Sequence, residues 1–295
     1  MIRFTFLLFA IIFVSCKDSA SKIDTAQNNE LVVSKLINQF KYNANADPLI
    51  SVHRGGVGLE NYPENCLETI KYINDSIYAI FEIDVAKTKD DVLVLMHDNS
   101  LDRTTTGFDR LDRYTYEELL DFNLVDDFGN ETDYKIPKFI DVLNWAKKNK
   151  VVLTVDIKRS VKVDEVINTI REHRAEDISI IITYDVSQAV KAHELAPDLL
   201  LSVSARNHKE LAGLLAANVP TQNMLAFTGT MLSDIELYDN IHKLGIKTML
   251  GTLGNLDKQA ATKGDSLYGV WHNMGIDIMA TDRPFQAAAA LNTVK

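Results

Sequence analysis

From Leu49 onward, short apolar runs rich in β-branched residues alternate along the chain with amphipathic stretches. The strand candidates are LISVH at 49–53, YAIFEIDVA at 78–86, DVLVLMH at 91–97, VVLTVDIK at 151–158, SIIIT at 179–183, LLLSV at 199–203, NMLAF at 223–227, IKTML at 246–250 and DIMAT at 277–281. Most are continuous apolar runs, as expected of strands buried on both faces. Helices are predicted at 64–74, 115–123, 138–149, 163–173, 187–195, 208–216, 232–243 and 284–292. Helices between buried strands argue for a parallel sheet, and about eight such units argue for a TIM-type (β/α)8 barrel over an open sheet. Nine strand candidates are one too many for a barrel. The run at 199–203 or the one at 223–227 is expected to be an irregular loop, and the pair 78–86 and 91–97 has no helix between its members. The polar segment from Asn99 to Lys135 predicts a long excursion over the top of the barrel, placed to contact substrate.

The segment ahead of the barrel has a different pattern. Arg3 precedes an apolar run from Phe4 to Val14, and the small residue Ser15 stands before Cys16. That is an export signal, too short to span a bilayer comfortably. FVSC resembles a bacterial lipoprotein box, which implies acylation of Cys16 as the first mature residue and a membrane-anchored protein facing the periplasm or the cell surface. An ordinary signal peptide cut nearby is the alternative. Acylation would leave Cys66 as the one thiol, so no internal disulfide is expected. The division read from the chain is a signal peptide at 1–15, a lipidated tether at 16–46, polar and without periodicity at its start, and one barrel domain at 47–295.

Composition adds exclusions. The 295 residues are 46% hydrophobic and 24% charged, enough for a large core and against wholesale disorder. With 31 basic and 41 acidic residues the net charge is −10, and no Lys/Arg run is present to neutralise a nucleic-acid backbone. Nucleic acid is therefore not expected as a partner. Any phosphate handled by this chain needs positive charge supplied locally.

Candidate chemistry lies where barrel enzymes keep it, at the C-terminal ends of strands. In SVHRGG at 51–56 an apolar strand delivers His53 and Arg54, and Gly55 and Gly56 let the backbone approach a ligand. In FEIDV at 81–85, Glu82 and Asp84 are two apart on a strand and share a face. Two such carboxylates repel, so either one is protonated, a cation lies between them, or both pair with Lys or Arg. A cation held by oxygens alone would be hard, Ca²⁺ or Mg²⁺ rather than zinc. VLVLMHDNSLDRTTTG at 92–107 brings a second strand to His97, and two histidines at neighbouring strand ends suit general acid and base work. TVDIKRS at 154–160 puts Asp156 and Lys158 on one face, either to complete a metal site and hold a phosphate oxygen or as a buried pair. His193, His208, His242 and His272 lie in or near helical stretches and are read as packing or surface residues. No G-x-S-x-G elbow, P-loop or H-E-x-x-H motif is present.

The order and spacing of HRGG at 53–56, PEN at 63–65, EIDVAKTKDDVLVLMHD at 82–98 and LDRTTTG at 101–107 resemble the glycerophosphodiester phosphodiesterase family. The resemblance runs through Asp156 and Lys158 to GIDIMATDRP at 275–284. It implies a TIM barrel of the phospholipase C-like kind, with His53 and His97 as the acid/base pair, Glu82 and Asp84 as metal ligands and Arg54 on the phosphate. Asp156 stands where the family usually has Glu, one methylene longer, and Lys158 matches the family Lys that follows. Glu64 and Asn65 of the PEN turn are expected to support the site from behind. Cys66 replaces a common Thr there. KTMLGTLGNLD at 247–257 departs from the aromatic-rich strand and Thr-x-Asn usual in the family, with Thr252 and Asn255 as a rearranged version.

The implied reaction is metal-dependent hydrolysis of a small glycerophosphodiester to glycerol 3-phosphate and an alcohol. The alternatives are a related phosphodiesterase acting on lysophospholipids or glycan-linked diesters, and an inactive surface binding protein that keeps the fold.

Overall fold

In a computed structural model, which describes Met1 and residues 33–295, the continuously apolar runs form eight parallel strands closed into a barrel. The barrel strands are β1 (Leu49–Val52), β2 (Ala79–Lys87), β4 (Leu153–Ile157), β5 (Ser179–Thr183), β6 (Leu200–Ser204), β7 (Met224–Phe227), β8 (Thr248–Gly251) and β9 (Ile278–Thr281). They pair in that order, and β9 returns to β1. The outer layer holds α2 (Leu67–Asn74), α4 (Phe139–Asn149), α5 (Val163–Glu172), α6 (Val186–Leu195), α7 (His208–Ala216), α8 (Ile235–Lys243), α9 (Asn255–Lys263), α10 (Leu267–Asn273) and α11 (Pro284–Leu291).

Both runs that were expected to compete for the irregular place are barrel strands. Leu200 of β6 and Leu225 of β7 are buried in the cluster inside the barrel, while Leu201 and Met224 pack in the cluster that the outer helices share. The supernumerary run is 91–97. It shortens to β3 (Leu93–Leu95), antiparallel to the far end of β2, with Val85 opposite Leu95 and Lys87 opposite Leu93. The connection at 88–92 decides this, because a parallel crossover needs roughly a dozen residues or more whereas a hairpin does not.

Strand alternation sets the layers. Along β2, Ile80 joins the interior cluster, Phe81, Ile83 and Val85 pack outward, and Glu82 and Asp84 line the cavity at the top. The floor of the barrel corrects the domain boundary. Residues from Ser34 to Phe40, read as tether, fold back as the short α1 (Leu36–Gln39). Leu36, Ile37 and Phe40 are buried against Ile80, Ile180, Leu200 and Ile278. Burial of side chains this size contributes about 1.5–3 kcal/mol each, enough to close the open end with chain that sequence alone leaves outside.

The excursion at 99–135 has a core of its own. Leu101, Leu111, Leu119, Leu124 and Ile136 pack on Ala86, Val94 and Met96. The helix expected at 115–123 is one turn, α3 (Tyr116–Leu119), started by a Thr115–Glu118 capping box. The helix expected from 64 begins at Leu67, since Asn65 adopts φ 51°. Helices α9 and α10 were not expected. Among the described residues, no helix is long and apolar enough to cross a membrane. The proposed acylation site Cys16 lies outside the described residues.

Candidate active site

Strand β1 stops at Val52, and a single tight turn over His53–Gly55 carries the first histidine and arginine. Arg54 is held at φ 50°, with Gly55 and Gly56 at φ 68° and 131°. A Cβ on Gly56 would meet Ile73 at 2.6 Å and Thr69 at 2.7 Å, so α2 packs against bare backbone. The turn leaves the Arg54 amide pointing into the barrel, where it donates to Glu82 Oε2 at 2.7 Å. It also brings His53 Nδ1 to 2.7 Å from Asp282 Oδ1.

The second histidine sits just beyond β3 rather than at a strand end. His97 Nδ1 lies 2.6 Å from Asp98 Oδ1. Both imidazoles thus have Nδ1 on a carboxylate and both line one cavity of about 310 Å³. That arrangement fixes the tautomer and leaves each Nε2 for proton exchange.

A chain of charges runs behind the pair. Arg103 Nε donates to Asp98 Oδ2 at 2.6 Å, and its two terminal nitrogens reach both oxygens of buried Glu64 at 2.8 Å. Glu64 also accepts from Arg54 at 3.2 Å. The Arg103 hydrogen bond, outweighing partial burial, holds the Asp98 carboxyl down to about 2.

Register places Asp84 beside Asp156 on neighbouring strands. Among the described residues, Glu82, Asp84 and Asp156 offer oxygens that all lie within 4.8 Å of one another. Asn65 clamps Asp84 twice, donating to Oδ2 at 2.7 Å and accepting from its amide at 3.0 Å. Lys158 Nζ bridges Asp84 at 2.5 Å and Asp156 at 2.8 Å. Burial pushes the Glu82 carboxyl well above the usual range, and the charge of Asp84 adds to it. Burial would raise Asp84 too, but the Lys158 ammonium and the Lys158 and Asn65 hydrogen bonds hold it low. Burial alone would lower Lys158, and its two carboxylates raise it instead.

The donor set fits a hard divalent cation. Three carboxylates converge with no thiolate among them, and the buried Oδ1 of Asp156 has no hydrogen-bond partner.

The glycerophosphoryl diester phosphodiesterase family model matches residues 53–284. The chain belongs to that family. A glycerophosphodiester phosphodiesterase of Bacillus altitudinis is 30% identical over 52% of this chain and 65% of its own length. A crystal structure of a glycerophosphoryl diester phosphodiesterase from Parabacteroides distasonis superimposes with a TM-score of 0.83 at 32% identity, covering 89% of this chain and 93% of that one. An Oleispira antarctica phosphodiesterase solved in complex with the product sn-glycerol-3-phosphate has the same fold, with a TM-score of 0.67 at 18% identity over 83% of this chain and 97% of that one.

In this phosphodiesterase barrel nine of the residues singled out from sequence fall in or behind one cavity. His53, His97, Glu82, Asp84, Asp156 and Lys158 line the cavity, and Arg54, Glu64 and Asn65 form the layer behind them. Asp282, Arg103 and Asp257 were missed. Asp282 and Arg103 stand inside quoted motifs, and the place of Asp282 just past β9 was the available signal. Asp257 accepts from Tyr268 Oη, Thr281 Oγ1 and the Asp282 amide, so it anchors the loop that carries Asp282. Thr252 and Asn255, the rearranged version of the family's Thr-x-Asn, do not line the cavity. Thr252 is buried and bonded to Ala280, Asn255 opens α9 on the surface, and Met249 and Leu253 face the cavity instead.

Proposed function

We propose that this chain hydrolyses glycerophosphodiesters to glycerol 3-phosphate and an alcohol, with a divalent cation, Ca²⁺ or Mg²⁺, held by Glu82, Asp84 and Asp156. The observation that carries the reading is the pair of carboxylate-held histidines facing one cavity with the three-carboxylate cluster. When bound, the cation would acidify the glycerol hydroxyl and neutralise charge on the phosphate.

The rest falls to the chain's own residues. One histidine takes the proton from the glycerol hydroxyl through Nε2 as that oxygen attacks phosphorus, and the other protonates the departing alkoxide. A cyclic phosphate results, and water opens it with the two roles reversed. Asp282 and Asp98 keep each Nδ1–H in place and stabilise the imidazolium that forms on each turn. Lys158, on the cavity wall, supplies positive charge that an acidic protein must bring to a phosphate, whereas Arg54, expected on the phosphate, pairs with Glu64 behind the cavity.

The test is release of glycerol 3-phosphate from a panel of glycerophosphodiesters by the domain without its first 22 residues, with EDTA, Ca²⁺ or Mg²⁺. Metal-dependent release that disappears in His53→Ala and His97→Ala is expected. A folded, metal-loaded protein that releases nothing would leave the reading of a surface binding protein. One observation favours lysophospholipids as a second reading: beyond Thr230 at the cavity wall, the loop after β7 exposes Met231 and Leu232. Faster turnover of a lysophospholipid than of its deacylated counterpart would select it.

The export signal and the acylation of Cys16 stand as part of the same proposal, supported by Arg3, the apolar run to Val14 and Ser15. Metabolic labelling with an alkyne fatty acid checks it. Label that survives Cys16→Ala would overturn it.

A further inference from the structure

A second cleft, of about 630 Å³, opens beside the catalytic cavity between the loop after β4 and helix α6. The two spaces share Asp156, Lys158, Ile182, Thr183 and Tyr184, so the cleft adjoins the carboxylate cluster. Apart from Asp156 and Lys158, its lining takes no part in the mechanism.

Its charge differs from that of the rest of the catalytic face. Arg54, Arg103, Arg206 and Arg283 are each paired to a carboxylate. Arg159 and Lys191 line the cleft from opposite sides, both exposed, and among the described residues neither forms an ion pair. The acidic residues of the cleft are already engaged. Asp156 is paired with Lys158, and Asp185 caps α6 through the Gln188 amide and the Ser187 hydroxyl. In a chain of net charge −10, two uncommitted cations across a cleft that joins the active site make a local anion site.

A phosphodiester has two arms. The inner cavity of about 310 Å³ holds the carboxylates and the larger cleft adjoins it, which leaves one space for each arm. We infer that this cleft is the leaving-group subsite and that Arg159 and Lys191 select glycerophosphodiesters whose alcohol carries an anionic group. A phosphate monoester suits it best, since a guanidinium fork and an ammonium can bind its oxygens together. The inference rests on the proposed reaction for its substrate class.

The experiment compares glycerophosphoglycerol with the same compound bearing a terminal phosphate monoester on the leaving glycerol. Wild-type kcat/KM at low salt is expected to favour the phosphorylated diester by about tenfold or more, as charged hydrogen bonds provide. In Arg159→Ala/Lys191→Ala the preference should collapse to within twofold, and both positions are exposed enough for the variant to fold. Equal wild-type rates, or a preference that the double variant keeps, would overturn the inference. Calorimetric binding of both diesters to His97→Ala, with and without the double substitution, separates the two readings. If neither diester is hydrolysed by the metal-loaded wild type but the phosphorylated one binds tighter through Arg159 and Lys191, the reaction assignment fails and the subsite stands. If binding shows no preference, the subsite fails whatever the rates.

Discussion

Replacing Arg103 by alanine tests the charge network directly. The residue joins two parts of the site, because one guanidinium contacts Asp98 at 2.6 Å and both oxygens of Glu64 at 2.8 Å. Glu64 is only 4% exposed, so its charge depends on partners. Breaking a buried ion pair costs about 3–5 kcal/mol when the remaining charge is stranded. Two features place Arg103→Ala at the low end. Its side chain is 42% exposed, and Glu64 keeps two contacts to Arg54 at 3.2 Å. A loss of about 3 kcal/mol follows, which for a domain of this size lowers Tm by roughly 6–12 °C.

The catalytic effect travels through Asp98. Without Arg103, that carboxylate loses its strongest partner and holds His97 Nδ1 in a looser geometry. Loss of a supporting contact of this kind lowers turnover by about 10–100-fold, with KM moving little because Arg103 does not line the cavity. Arg103→Lys should recover charge but not the fork, since an ammonium cannot satisfy Asp98 and both Glu64 oxygens at once. Thermal melts and steady-state kinetics on the three proteins check the reasoning. If Arg103→Ala melts within 1 °C or so of wild type and turns over normally, the network supports neither Glu64 nor His97.

Asp282→Ala should lower kcat by about 10²-fold through loss of the His53 orienting contact, while stability changes little because the Asp282 side chain is 31% exposed; thermal melts and kinetics read both, and normal kcat would refute it. Leu36→Ala, which removes a fully buried side chain from the barrel floor, should cost about 2–5 kcal/mol, and a urea midpoint matching wild type would show that the floor does not depend on residues 34–40. Acid should destabilise the domain in a defined window. The carboxyls of Asp98 and Asp126 are held down to about 2 in the folded state, Asp98 by Arg103, and Asp126 by hydrogen bonds from Asn130, Asn61 and Phe128 that outweigh its burial. Because the unfolded chain binds those protons first, their stabilisation is complete above about pH 4 and is lost as the pH falls through about 2. Urea midpoints from pH 5 to 2.5 should fall below pH 4, less steeply in Asp126→Asn, and a flat profile would refute the assignment.

The barrel was legible because strands buried on both faces are continuously apolar, but that signal does not distinguish a barrel strand from a hairpin arm. DVLVLMH reads like its neighbours, and only the short connection at 88–92 reveals its antiparallel pairing. Helix α9 was illegible for the opposite reason. Its buried residues are Leu256, Asp257 and Ala260, so an aspartate takes a position where periodicity looks for an apolar side chain. The floor residues Leu36, Ile37 and Phe40 were absorbed into the tether although LVVSKLINQF at 31–40 is largely apolar, because α1 is a single turn and too short to stand out as a helical period.

Within the site, the carboxylates at i and i+2 were legible from strand geometry, whereas the partners of the histidines depend on tertiary contact. Asp98 adjoins His97 in sequence, but Asp282 is 229 residues from His53. The two pairs are also supported unequally. The Asp282 amide is tied to Asp257, itself buried and bonded to Tyr268 and Thr281 in the barrel wall. Asp98 depends on the half-exposed Arg103, whose segment belongs to the 99–135 excursion with its separate small core. Loosening that excursion should therefore disturb His97 and leave His53 in place, so variants there act on one proton transfer and variants around Asp257 on the other. Leu111→Ala and Asp257→Asn should accordingly each lower kcat, and their losses should add as free energies in the double variant because they act through different histidines; a double variant no slower than the worse single would refute the separation.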